Sequence, residues 1–191
     1  MQFVSGTSTN LAAEVMMGVA RYRHRVFVEM LGWPLQTRQH GLELDQFDRE
    51  DTMYVVARNT GDEIVGTARL LPTSRPYLLG EIFPQMLHGQ PLPSTPKVWE
   101  LSRFAAVDFN AANTTPMCQM SPAAMDLLRE TMVIAANLGA ERLITVSPLG
   151  IERLLRKAGI RAHRAGPPII VDGNPVFACW IDLEAHAWNM H

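Results

Sequence analysis

The stretch Trp99-Glu100-Leu101-Ser102-Arg103-Phe104-Ala105-Ala106-Val107 constrains the fold more than any other part of the chain. Apolar and small residues bracket it and nothing in it breaks an extended backbone, so it predicts a buried strand. It nevertheless carries a carboxylate and a guanidinium three residues apart, Glu100 and Arg103. Side chains alternate faces along a strand, so at least one of these charges faces an interior or a cleft. Buried charge is costly unless paired. That leaves a structural ion pair, realigned by a β-bulge, or a functional site whose ligand supplies the partner.

Other charges sit in equally apolar settings. Leu11, Val15, Val19, Tyr22, Val26 and Met30 recur at helical spacing and predict a helix capped by Ser8, Thr9 or Asn10. On it Arg23 precedes Phe27 by four residues, so the two share a side. Gly32 ends the helix and Pro34 prevents its restart. From Trp33 to Asp51 the sequence has no period but carries the apolar anchors Trp33, Leu42, Leu44 and Phe47, which indicates an ordered lid or pocket wall. Its carboxylates Glu43, Asp45 and Asp48 can accept hydrogen bonds from a cation, or form a solvated acidic loop. Arg69 lies between Ala68 and Leu70 in an apolar strand and needs a carboxylate or a ligand.

Two strands over 52–59 and 63–71 form a hairpin around Thr60-Gly61-Asp62. A short helix over 78–87 and a Pro-rich connector lead to the Trp99 strand, followed by a polar loop from Asp108 to Gln119. Ser121-Pro122 opens a strong helix ended by Gly139. A buried strand over 141–147 precedes a helix over 148–158, and strands over 162–171 and 175–183 close the chain. Hairpins first and αβ units later indicate an α+β or mixed α/β sandwich.

At 191 residues and 47% hydrophobic content, the chain is expected to form one domain, 1–191, with a full core. A net charge of −2 gives no support for nucleic-acid binding. Cys118 and Cys179 form no CxxC pair and are expected as reduced thiols. The six histidines (24, 40, 88, 163, 186, 191) show no HxxxH or HExxH spacing, so no metal site is expected. With neither an export signal nor an apolar run of membrane-spanning length, a soluble, cytoplasmic protein is expected.

The segments RHRVFVEMLGW, ELDQFD, VGTARLLPT and WELSRF, in this order and at these spacings, closely resemble the acyl-homoserine-lactone synthases of the LuxI type. ERLLRKAGI resembles the helix that follows them in those enzymes. The resemblance implies a fold related to the GNAT acyltransferases: a twisted mixed sheet flanked by helices, in three layers. It implies a reaction too. The α-amine of S-adenosylmethionine attacks the thioester of an acyl-acyl carrier protein, and the methionyl carboxylate then displaces methylthioadenosine to close the lactone. S-adenosylmethionine is thus a substrate, and no cofactor is implied.

The residues suit that chemistry. An α-amine with a pKa near ~8 is roughly one-tenth neutral at pH 7, so a modest base suffices. Glu100 is the candidate, directly or through a water. Asp45 and Asp48 would hold the amine or the sulfonium, Arg23 and Arg103 would orient carboxylates, and Arg69 would pair with Asp45 or Asp48 or touch substrate. Trp33 and Phe27 offer aromatic faces to the adenine or sulfonium, or pack as core. Backbone groups of Ser102 or Phe104 can polarise the thioester carbonyl; a primary amine needs no serine nucleophile. Leu101, Met125, Thr145, Val146, Ser147 and Leu149 are candidates for an acyl tunnel. Arg153, Arg156 and Lys157 suit docking of an acidic carrier protein, or a solvated helix face.

Two rivals remain. A GNAT-type N-acyltransferase using acyl-CoA would cradle the pyrophosphate in a Gly-containing loop, yet no glycine lies between Gly89 and Gly139. A non-catalytic acyl-ligand sensor leaves the clustered Asp45, Asp48, Glu100 and Arg103 unexplained.

Overall fold

The computed structural model of the chain describes residues 1–35, 40–111 and 121–183. Residues 36–39 of the expected lid, most of the polar loop from Asp108 to Gln119, Cys118, His186 and His191 lie outside the described residues. The elements run β1 (Gln2–Thr7), α1 (Ala13–Arg23), a π-helical segment (His24–Met30), β2 (Met53–Arg58) and β3 (Ile64–Pro72). They continue with α2 (Leu78–Ile82), a 3₁₀ turn (Pro84–Leu87), β4 (Val98–Ala106), α3 (Pro122–Asn137) and β5 (Arg142–Pro148). The chain ends with α4 (Ile151–Lys157), β6 (Ala162–Arg164), β7 (Ile169–Val171) and β8 (Asn174–Asp182). The strands form a mixed eight-stranded sheet in the order β1-β2-β3-β4-β5-β8-β6, with β7 also paired to β8.

Two compact units divide the chain. One comprises Met1–Arg69 with Arg103–Thr131, the other Leu70–Ser102 with Met132–His191. In the first, β1 and β2 are antiparallel from Gln2↔Arg58 to Thr7↔Met53. Val19 packs with Leu11, Tyr54 and Val56, while Tyr22, Val26 and Phe27 pack with Ala105 and Val107. The Tyr22 hydroxyl donates to the Val65 carbonyl at 2.9 Å and accepts the Val107 amide at 2.7 Å, tying α1 to β3 and to the chain just past β4. In the second unit, β4 and β5 run parallel from Val98↔Arg142 to Glu100↔Ile144. β5 and β8 are antiparallel from Arg142↔Asp182 to Pro148↔Val176. Leu143, Ile144, Phe177, Ala178 and Ile181 are buried there.

Several expectations need correction. The single helix over 11–30 is α-helical only to Arg23; beyond it the Leu31 amide reaches back five residues to the Val26 carbonyl at 3.0 Å. A spacing of three and four cannot announce that wider turn. The N-cap is Ala12, without a side-chain bond, because Ser8, Thr9 and Asn10 make the turn that leaves β1, the Asn10 and Leu11 amides donating to the Thr7 carbonyl. Strand β5 runs on through Pro148, so α4 starts later than expected, at Ile151. The strand expected over 162–171 is two strands, since Gly166-Pro167-Pro168 removes ladder donors between them.

Candidate active site

The first unit gathers six ionisable side chains from four segments. Arg23 ends α1, Arg69 lies on β3 and Arg103 on β4, while Glu43, Asp45 and Asp48 come from the irregular stretch before β2. That stretch is pinned locally: the Glu43 amide donates to the Ala20 carbonyl of α1 at 3.0 Å, and the Thr52 hydroxyl donates to the Phe47 carbonyl at 2.6 Å. The Asp45 carboxylate accepts the Phe47 amide at 2.8 Å, and Asp48 accepts the Asp45 amide at 2.7 Å. Short polar side chains folding back on their own backbone hold such a loop in shape without a regular element.

Three guanidiniums then meet three carboxylates. Arg23 donates from Nε to Glu43 and grips Asp48 with both terminal nitrogens, at 2.7 and 3.1 Å. Arg69 grips Asp45 the same way, at 2.6 and 3.0 Å, with Asp48 3.3 Å from its Nη1. Arg103 spans Glu43 at 2.9 Å and Asp45 at 3.0 Å. The Tyr54 hydroxyl donates to Asp48 at 2.8 Å. Arg23 and Arg69 are fully buried, and such charge is tolerable only because each is neutralised and bidentately bonded.

Burial works to raise the Asp48 pKa, but Arg23 and Arg69 outweigh it and hold the carboxyl well below the usual range. Glu43 is likewise lowered: burial opposes ionisation, and Arg23 and Arg103 overcome it. Burial, then the Asp48 charge, pushes the Tyr54 phenol far above its ordinary value. Asp45, with 16% of its side chain exposed, is the most accessible of the six, and contact with a small ligand falls first to it. Trp33, 41% exposed, stacks on buried Phe27 with ring centroids 4.8 Å apart, and the Arg103 guanidinium lies 5.7 Å from the Phe27 ring centre.

In the second unit Glu100 is fully buried, and its two oxygens accept the Leu78 and Leu79 amides at the start of α2, each at 2.8 Å. Tyr77, just before α2, has its phenol pushed up to about 12 by burial and by the Glu100 charge. Leu101 and Ser102 are buried. Thr145 and Ser147 share one face of β5, registered with Cys179 and Phe177; Val146 lies on the other, with Ile144 and its partner Glu100. Leu149 lies at the surface, 48% exposed. Arg153, Arg156 and Lys157 are exposed along α4, and Arg156 pairs with Glu152 at 3.0 Å. Met125 is half-buried on α3 in the first unit, and Phe104 is half-buried on β4 there.

Thus seven expected residues, Arg23, Phe27, Trp33, Asp45, Asp48, Arg69 and Arg103, are brought together in one unit. Tyr54 was not anticipated; a tyrosine in a strand reads as core, and only the fold reveals the carboxylate beside its hydroxyl. Among the described residues no group of three or more His, Cys, Asp and Glu could hold a metal ion, and no helix is long and apolar enough to cross a membrane.

The family model for autoinducer synthases matches residues 8–189. The chain belongs to the autoinducer synthase family. It is 53% identical over 184 residues to the acyl-homoserine-lactone synthase of Acinetobacter nosocomialis, covering 96% of this chain and all of that one. The crystal structure of TofI in a ternary complex with an inhibitor and MTA matches with a TM-score of 0.83 and 43% identity, over 97% of this chain and 93% of that one. BjaI, a CoA-dependent acyl-homoserine lactone synthase solved with SAM and isopentyl-CoA, matches with a TM-score of 0.82 and 25% identity, over 98% and 84%. The family and enzyme class implied by the four segments, an acyl-homoserine-lactone synthase, are borne out, as is the mixed α/β fold class of these autoinducer synthases.

Proposed function

We propose that this autoinducer synthase joins S-adenosylmethionine to an acyl-acyl carrier protein, making N-acyl-L-homoserine lactone and releasing methylthioadenosine. The observation that carries the reading is the neutral, buried network of three arginines and three carboxylates, in which Asp45, held by Arg69 and Arg103, is the most accessible carboxylate and can offer its exposed edge to a cationic ligand. The MTA in TofI and the SAM in BjaI support it.

In this reading Asp45 meets the amine or sulfonium end of the substrate. Asp48, whose oxygens accept Arg23, Tyr54 and the Asp45 amide, braces Asp45. Arg23, Arg69 and Arg103 set the carboxylates in place, and Trp33, backed by Phe27, offers its exposed face to adenine or sulfonium. Glu100, oriented by two amides, takes the proton from the attacking amine, directly or through a water. The amine nitrogen bonds to the thioester carbonyl, polarised by backbone groups of Ser102 or Phe104, and the carrier thiol leaves. The substrate carboxylate then attacks the carbon next to sulfur, and methylthioadenosine departs with the bonding pair. Val146, on the same face of the sheet as Glu100, and Met125 serve the acyl chain, whereas Leu101, Thr145 and Ser147 lie on the opposite face; Arg153, Arg156 and Lys157 receive the acidic carrier protein. The family match over 8–189 supports a single synthase domain. Both substrates are intracellular metabolites, which supports a cytoplasmic enzyme. Acyl-CoA is the second donor reading, favoured by the CoA dependence of BjaI.

Purified protein given S-adenosylmethionine with matched acyl-carrier protein and acyl-CoA, and read by mass spectrometry of the lactone, tests the donor. Glu100→Gln should lower turnover on the order of 100-fold or more; near-normal lactone output would remove Glu100 from the mechanism.

A further inference from the structure

A carboxylate has about four acceptor positions, two on each oxygen, and donors fill those of Asp48. Oδ1 accepts Arg23 Nη1 at 2.7 Å and the Tyr54 hydroxyl at 2.8 Å. Oδ2 accepts Arg23 Nη2 at 3.1 Å and the Asp45 amide at 2.7 Å. Arg69 Nη1 stands 3.3 Å from Oδ1, with no position left there to take. It donates instead to Asp45 Oδ1, at 2.6 Å. One guanidinium nitrogen therefore lies between two carboxylates and is bonded to Asp45.

Asp45 owes its orientation to that partition. Its carboxylate takes the Phe47 amide, both terminal nitrogens of Arg69 and Arg103 Nη2, and turns an edge outward. Without a hydroxyl on Asp48 Oδ1, Arg69 Nη1 would close on the open position, its bond to Asp45 Oδ1 would lengthen, and the Asp45 carboxylate would turn with it. The Tyr54 ring is fixed well enough to prevent this. It is fully buried against Leu11, Val19 and Val56, on a strand registered to β1 through Gly6. Buried in this way, Tyr54 does not touch a substrate; it acts through Asp48 and Arg69.

We propose that Tyr54 is a positioning residue for the S-adenosylmethionine site: by filling Asp48 it reserves Arg69 for Asp45, and so fixes the carboxylate that meets the substrate cation. The inference rests on the reading above in which Asp45 makes that contact. Strand β2 thereby carries the packing of α1 against the sheet into the orientation of a substrate-facing charge. A charge already oriented binds a cation better than one free to turn, because the ordering cost is met before the ligand arrives.

The test measures Kd for S-adenosylmethionine by calorimetry, and KM for the acyl donor and kcat from lactone formation. Tyr54→Phe should raise that Kd about fivefold and leave the acyl-donor KM and kcat within about twofold of wild type. Val56→Ala, in the same packed cluster but remote from the carboxylates in role, should lower Tm at least as much and leave Kd unchanged. In an Arg69→Lys background, where a point charge cannot grip one carboxylate with two nitrogens, Tyr54→Phe should add little further loss, so the two changes are non-additive. An unchanged or lowered Kd in Tyr54→Phe overturns the proposal. So does an equal weakening in Val56→Ala, which would make the effect one of general loosening, or full additivity with Arg69→Lys. Asp45→Asn with an unchanged Kd for S-adenosylmethionine would instead overturn the reading on which the proposal stands.

Discussion

Arg103 has φ of +49°, a left-handed backbone that costs a residue with a Cβ and persists only where its surroundings over-determine it. Here the contacts to Glu43 and Asp45 supply that determination. Glu100, three positions earlier, is held by the Leu78 and Leu79 amides. Each charge of the strand has partners of its own, and those partners were not visible from the strand. Tyr54 makes the network testable one atom at a time. Tyr54→Phe removes only the donor to Asp48 and should cost about 1.5–3 kcal/mol, the usual worth of a bond to a charged group. Asp48→Asn removes the charge facing two fully buried guanidiniums and should cost more, about 3–5 kcal/mol. Urea unfolding of both variants checks the order; equal or reversed losses would show that the charge itself contributes little.

At the scale of elements, the seven-residue π segment and the five-residue helix α2 do the positioning. The π segment and Gly32, at φ +66°, bring Trp33 back onto Phe27. Helix α2 is too short to stand by its own hydrogen bonds and is shaped by the Tyr77 ring. A Cβ at Gly80 would come within 2.8 Å of that ring, so a larger residue there must push the ring aside. Gly80→Ala should therefore displace Tyr77 and the two amides that hold Glu100. We expect a loss of about 1–3 kcal/mol, seen as a lower Tm, together with reduced turnover well below that temperature. An alanine variant with unchanged Tm and turnover would mean that the ring yields freely and α2 does not orient Glu100.

For the whole molecule the same shifts set limits in pH. Glu43 and Asp48 are held below their ordinary values of 4.5 and 3.8, so their contribution is complete above those values and is lost as pH falls and the folded carboxyls take up protons. Tyr54 and Tyr77 are held above 10.0, so the unfolded chain ionises first and stability falls as pH rises past that value. Arg23 and Arg69, raised above 12.5, change nothing below it. Burial raises the Cys179 thiol above 9.0 as well, so Tm should be flat from about pH 5 to about pH 8 and fall on both sides; a Tm still level at pH 3 would show that the network is not an ionised one. Hydrophobic spacing, Gly and Pro placement and the isolated charges in apolar runs were enough to place most strands and helices and to nominate Arg23, Asp45, Asp48, Arg69 and Arg103, because those signals are local. The tertiary structure decided which arginine holds which carboxylate, that Tyr54 joins them, that the first helix widens at His24 and that Thr145 and Glu100 face opposite ways. Those depend on register and on contacts between residues tens of positions apart, where a shift of one residue reverses every face, and no local pattern encodes them.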